Sequence, residues 1–146
     1  MPSIPKQRRI IDRAILVGKL DALIADQARA EDVRGNFLVL LKNAMANGRK
    51  EVRRRFDAGE ASGEEVAEGL SFLADQIVRL IYDFATDHVY PAANPTEGER
   101  LCVAAVGGYG RGELAPHSDI DLLFVLPYKE TARQEQVIEY TLYLLW

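Results

Sequence analysis

The chain predicts an α+β fold: a helical N-terminal region followed by the start of a sheet. Three observations carry that reading. Apolar residues recur at helical spacing through roughly the first ninety positions. Two short apolar runs, 101–106 and 120–126, flank a glycine-rich turn. A further helical stripe, Val137, Ile138, Thr141, Leu144 and Leu145, then runs to Trp146. The expected organisation is a helical region over residues 1–93 and an incomplete sheet domain over 94–146.

In the first helix, Ile10, Ala14, Val17, Leu20, Ile24 and Ala28 share a face. The second stripe is Val33, Phe37, Leu40, Leu41, Ala44, Met45, Val52 and Phe56. Gly35 and Gly48 weaken its continuity, because glycine costs a helix interior about 1 kcal/mol relative to alanine. Asp57-Ala58-Gly59 supplies a stop. Ser62 and Glu65 have capping-box spacing, in which each side chain accepts the other's backbone N–H. They open a third helix with Val66, Leu70, Leu73, Ile77, Leu80, Ile81 and Phe84 on its apolar face. His88 extends that stripe and reads as a structural or surface residue. Pro91 to Gly98 is a loop, and no internal repeat or low-complexity tract is present.

Leu101–Val106 and Ile120–Leu126 read as strands buried on both faces. Pro127 ends the second, because it has no amide for the ladder. Cys102, the sole cysteine, falls in the first strand and reads as a small core residue, so no disulfide forms within the chain. Between the strands stands Val106-Gly107-Gly108-Tyr109-Gly110-Arg111-Gly112-Glu113-Leu114-Ala115-Pro116-His117-Ser118-Asp119-Ile120-Asp121. Glycine lets backbone approach phosphate closely, and a short helix over Tyr109–Leu114 would add amides to an anion site at Gly107 and Gly108. Arg111 offers a forked donor to a phosphate. Asp119 and Asp121, two apart on a strand, would point to one face roughly 6–7 Å apart along the chain. That is too far for a shared hydrogen bond and suits convergence on Mg²⁺. The stretch lacks the Gly-Lys-Ser/Thr end of a P-loop and the second strand–helix unit of a dinucleotide fold. His117 lies in the loop before the aspartates, where it could approach a substrate, and a catalytic role is not the expected one. Ser118 is expected to brace Asp119, since no histidine base stands at a fixed spacing for nucleophilic chemistry.

Composition narrows the classes. A net charge of −4 gives no basic footprint for nucleic acid. No stretch approaches the ~18 apolar residues of a membrane span. The basic start at Lys6, Arg8 and Arg9 leads into an amphipathic stretch broken by Asp12, Arg13, Lys19 and Asp21, unlike a secretory signal. A cytoplasmic location is the default. The basic run Arg49-Lys50-Glu51-Val52-Arg53-Arg54-Arg55 reads as a solvated face balanced by Glu60, Glu64 and Glu65, with an electrostatic patch for phosphates or an acidic partner as the alternative.

Gly-Gly-Tyr-Gly-Arg-Gly-Glu-Leu, then Pro, then Ser-Asp-Ile-Asp-Leu-Leu, resembles the nucleotidyltransferase superfamily related to DNA polymerase β. Within it, residues 101–126 are most similar to the bacterial uridylyltransferase/uridylyl-removing enzymes. The resemblance implies a mixed sheet, Gly107 and Gly108 facing a triphosphate, and Asp119 and Asp121 binding Mg²⁺, with Mn²⁺ as the alternative ion. It implies UTP as donor, a tyrosine of the P-II nitrogen regulatory protein as acceptor, and glutamine as effector of a longer enzyme. Such enzymes carry a third carboxylate on a later strand, a His-Asp hydrolase domain and two glutamine-sensing domains. The chain therefore reads as an N-terminal fragment, from which isolated transfer activity is not expected. Adenylyl transfer to glutamine synthetase, a non-catalytic nucleotide- or partner-binding module, and a small stand-alone transferase are the rival readings.

Overall fold

The computed structural model describes residues 4–26, 30–94 and 96–145. Contacts divide the chain into two compact units, Met1–Ile77 and Val78–Trp146. The α+β expectation is met by a mainly helical chain carrying one two-stranded antiparallel sheet.

In the first unit, Lys6 enters a 3₁₀ turn, Gln7–Arg9, at a left-handed φ of 49°. Helix α1 (Arg13–Asp26) follows. Asp12 Oδ1 caps it, accepting from the amides of Ala14 at 3.1 Å and Ile15 at 3.4 Å. Its buried residues are Leu16 and Leu20, whereas Ala14 is exposed and Val17 half-buried. The expected stripe started at Ile10, which precedes the helix. The larger leucines bury more apolar area and set the face. Ala28 lies outside the described residues.

Helix α2 (Ala30–Asp57) runs unbroken through Gly35 and Gly48. Val33, Phe37, Leu41 and Val52 are buried, but Phe56 is 50% exposed and does not join the core. Gly48 is needed for space: a Cβ there would stand 2.5 Å from Leu73 Cδ1 and 2.9 Å from the Ile10 carbonyl oxygen. The close approach outweighs the helix-propensity cost. Gly59, at φ 68°, ends the helix at the expected stop. The Gly59 amide donates to Phe56 O at 3.0 Å and the Glu60 amide to Arg55 O at 2.8 Å, a Schellman closure.

Helix α3 (Gly63–Phe84) begins with the expected capping box. The Ser62 amide donates to Glu65 Oε2 at 2.7 Å, and the Glu65 amide to Ser62 Oγ at 3.2 Å. Leu70, Leu73, Ile77, Leu80, Ile81 and Phe84 are buried as the spacing predicts. A π-helical turn, Ala85–Val89, extends the helix, and His88 there is exposed with its ring 5.8 Å from that of Phe84.

In the second unit, strand β1 (Cys102–Ala105) leads into the four-residue helix α4 (Gly107–Gly110). Strand β2 (Leu122–Val125) pairs antiparallel with β1 in the register Cys102↔Val125 to Ala105↔Leu122. Neither strand is buried on both faces. Burial alternates along β2, with Leu123 52% exposed, and Cys102 is exposed. An antiparallel pair keeps one face open, which corrects both the two-sided burial and the core assignment of Cys102.

Helix α5 (Ala132–Leu145) buries Val137, Thr141 and Leu144; Trp146 lies outside the described residues. A second capping box opens it. The Gln134 amide donates to Thr131 Oγ1 at 3.2 Å and the Thr131 amide to Gln134 Oε1 at 2.9 Å. The fully buried Gln134 also donates through Nε2 to the carbonyls of Gly98 and Arg100, both at 2.9 Å, fixing the approach to β1. Among the described residues, no helix is long and apolar enough to cross a membrane.

Candidate functional site

The glycine-rich turn connects the end of β1 to the start of β2. Its helix α4 starts at the first glycine, two residues before the expected Tyr109–Leu114 segment, and the chain turns through Arg111 and Gly112. The Gly110 amide donates to Val106 O at 2.9 Å and the Glu113 amide to Gly108 O at 2.9 Å, closing the loop on itself. Tyr109 and Leu114 are buried and anchor it. A Cβ on Gly110 would lie 2.5 Å from the Ala105 carbonyl oxygen, so the turn is pressed against the end of β1.

Gly107 adopts φ 62°, a left-handed conformation that side-chain-bearing residues rarely take. A Cβ at Gly107 would stand 3.0 Å from Asp121 Oδ2. Glycine therefore lets an aspartate carboxylate lie directly against the turn. The Val106 amide donates to Asp121 O at 3.1 Å and draws the two segments together beyond the last paired residues.

Both aspartates precede β2 instead of opening it, and both are exposed. They follow a turn through Ala115–Ser118, where the Ser118 amide donates to Ala115 O at 3.0 Å. Gly107, Gly108, Arg111 and Asp121 are gathered at the turn; Asp119 stands two residues before Asp121 in the same exposed segment. His117 and Ser118 are exposed in that segment as well. Arg111 Nε donates to Glu113 Oε2 at 2.9 Å and Nη1 to the Gly107 carbonyl at 3.0 Å. Glu113 was not singled out by the sequence, although its place two residues after Arg111 was visible there.

The Asp119 and Asp121 carboxylates are hard oxygen donors of the type Mg²⁺ takes, and the side-chain-free face of Gly107 leaves room beside Asp121. Those features fit a divalent ion. No group of three or more His, Cys, Asp and Glu side chains with ligand geometry occurs among the described residues.

The basic run on α2 has a different fate. Arg53 pairs with Asp57 at 2.8 Å, Arg54 with Glu51 at 2.9 Å and Glu60 at 3.0 Å, and Arg55 with Glu51 at 2.9 Å. Arg55 also donates from Nη1 to Pro5 O at 2.7 Å and from Nη2 to Lys6 O at 2.9 Å. Glu60 serves as the expected counter-charge, while Glu65 is engaged in the α3 capping box. The two hydrogen-bonded guanidinium groups, Arg54 first and Arg55 second, hold Glu51 down to about 2 from the usual 4.5.

The strand, the glycine turn and the aspartate against it lie within a nucleotidyltransferase-family domain. The sequence profile of the glutamate-ammonia ligase adenylyltransferase family matches residues 51–143, and the chain belongs to that family. Three curated relatives, each named a bifunctional uridylyltransferase/uridylyl-removing enzyme, match along nearly its whole length. The Rhodospirillum rubrum protein is 51% identical over 100% of this chain, the Azospirillum brasilense protein 48% over 99%, and the Novosphingobium aromaticivorans protein 47% over 100%. The chain spans only 15–16% of the length of these relatives. No solved structure is a significant match.

Proposed function

We propose that this chain forms part of an enzyme that transfers UMP from UTP to a tyrosine hydroxyl of the P-II nitrogen regulatory protein, in the cytoplasm, under control by glutamine. A second activity of the whole protein would remove the group. The observation that carries the transfer reading is Gly107 meeting Asp121, a phosphate-compatible turn beside a metal-compatible carboxylate. The choice of uridylyl transfer is supported by relatives that match all of this chain, whereas the adenylyltransferase profile covers residues 51–143.

The side-chain-free face at Gly107 and Gly108 seats the triphosphate, and Arg111 adds positive charge beside it. Asp119 and Asp121 would hold Mg²⁺, which supplies neutralisation of the triphosphate when bound. The tyrosine oxygen attacks the α-phosphorus. An oxygen–phosphorus bond forms as the α–β anhydride bond breaks, pyrophosphate leaves with the bonding pair, and the phenolic proton passes to solvent. The segment alone is not expected to complete this reaction.

The test is transfer of label from α-labelled UTP or ATP to purified P-II protein by the full-length gene product. UTP is the expected donor, and Asp121→Asn should lower kcat by about 10³-fold or more with folding intact by circular dichroism. Preference for ATP would favour the adenylyl reading. Near-normal transfer by the variant would remove Asp121 from the site.

A further inference from the structure

We propose that Glu113 is a positioning residue for nucleotide binding, acting through Arg111. This inference rests on the proposed nucleotide reading and adds a residue to it.

Three observations converge. First, the Glu113 amide donates to the Gly108 carbonyl at 2.9 Å, so the backbone holds Glu113 beside the glycine pair. Second, its carboxylate accepts from Arg111 Nε at 2.9 Å while Arg111 Nη1 donates to the Gly107 carbonyl at 3.0 Å. The guanidinium is planar, so two fixed nitrogens fix the third. Third, Nη2 makes no hydrogen bond to the described residues, and it lies 3.9 Å from the position a Cβ on Gly108 would occupy. The free end of the guanidinium is thereby directed over the second glycine, where the triphosphate is expected to lie.

The choice of nitrogens matters. A carboxylate bridging both Nη atoms would occupy the fork that a phosphate needs. Glu113 instead takes Nε, from the side away from the fork tip, and leaves a donor at Nη2. Arg111 and Glu113 are 65% and 62% exposed in their side chains. Their pairing therefore adds little to folding, and its consequence falls on where the guanidinium points. Without Glu113 the flexible arginine samples several rotamers, and the nucleotide must order it on binding.

The experiment measures steady-state transfer by the full-length gene product for wild type, Glu113→Ala, Arg111→Ala and the double variant. Glu113→Ala should raise KM for UTP about three- to fivefold, with kcat changed less than about twofold. Arg111→Ala should raise KM by about tenfold or more. Because Glu113 acts through Arg111, adding Glu113→Ala to Arg111→Ala should change nothing further. An unchanged KM in Glu113→Ala, or a multiplicative loss in the double variant, overturns the proposal. A wild-type enzyme that transfers no UMP would instead overturn the nucleotide reading beneath it. Equal melting temperatures for wild type and Glu113→Ala separate positioning from a folding defect.

Discussion

Arg55 and Arg111 are built to one pattern and left in opposite states. Each gives Nε to a glutamate and Nη1 to a backbone carbonyl. Arg55 also commits Nη2, to Lys6 O, and its side chain is only 11% exposed. Arg111 keeps Nη2 unbonded among the described residues and is open to water. All three nitrogens of the first arginine are engaged, Nε on Glu51 and the two Nη atoms on fastening residues 5 and 6 to α2. The second is held in place with one nitrogen, Nη2, in reserve. A basic run is thus a poor guide to a binding site, and the number of uncommitted donors is a better one.

Substitutions at these two arginines and elsewhere on α2 test that contrast. The largest effect on stability should come from Arg55→Ala. It removes one of the two arginines that pair with Glu51 and the hydrogen bonds to two backbone carbonyls, and should cost about 2–3 kcal/mol. Arg111→Ala should cost less than about 0.5 kcal/mol. Urea midpoints on the full-length product compare them, and equal shifts would abolish the distinction. Next, Gly48→Ala should destabilise by about 1–2 kcal/mol, since the clash with Leu73 and Ile10 outweighs the roughly 1 kcal/mol gain in helix propensity. A stabilised variant would mean that α2 can shift away.

The Arg55 network should also respond to acid. Glu51 titrates near 2 when folded and near 4.5 as an ordinary glutamate. A depressed carboxylate contributes stability that is complete above about pH 4.5 and is lost as pH falls towards 2. The difference in melting temperature between wild type and Glu51→Gln should therefore shrink between pH 5 and pH 2. A constant difference would contradict the ion-pair account. The smallest effect belongs to Phe56→Ser. The ring is 50% exposed, so the change should stay within about 0.5 kcal/mol despite the residue's place on the predicted apolar stripe.

What the sequence made legible follows from the range of the forces involved. Ser62 with Glu65, and Gly59 as a helix stop, act over three to five residues and were readable from spacing. The long apolar face of α3 was readable for the same reason. The Thr131–Gln134 box carries the same local signal, next to an apolar stripe that begins only at Val137. The continuity of α2 could not be read, since the reason for Gly48 is a leucine from α3. The loop position of Asp119 and Asp121 escaped because an apolar run marks a strand without marking its first paired residue. The pairing of Arg55 with the carbonyls of Pro5 and Lys6 spans about fifty positions and leaves no local trace.

Gln134 imposes an order in time. Its amide grips the carbonyls of Gly98 and Arg100, 36 and 34 positions earlier in the chain. As the protein emerges from the ribosome, the approach to β1 appears first and must wait for that grip until α5 begins. Helices α1, α2 and α3 close their local hydrogen bonds without such a delay. The glycine-rich turn is therefore among the last parts of this segment to become rigid. A pause in translation just before residue 131 would lengthen the interval in which its strands stand open.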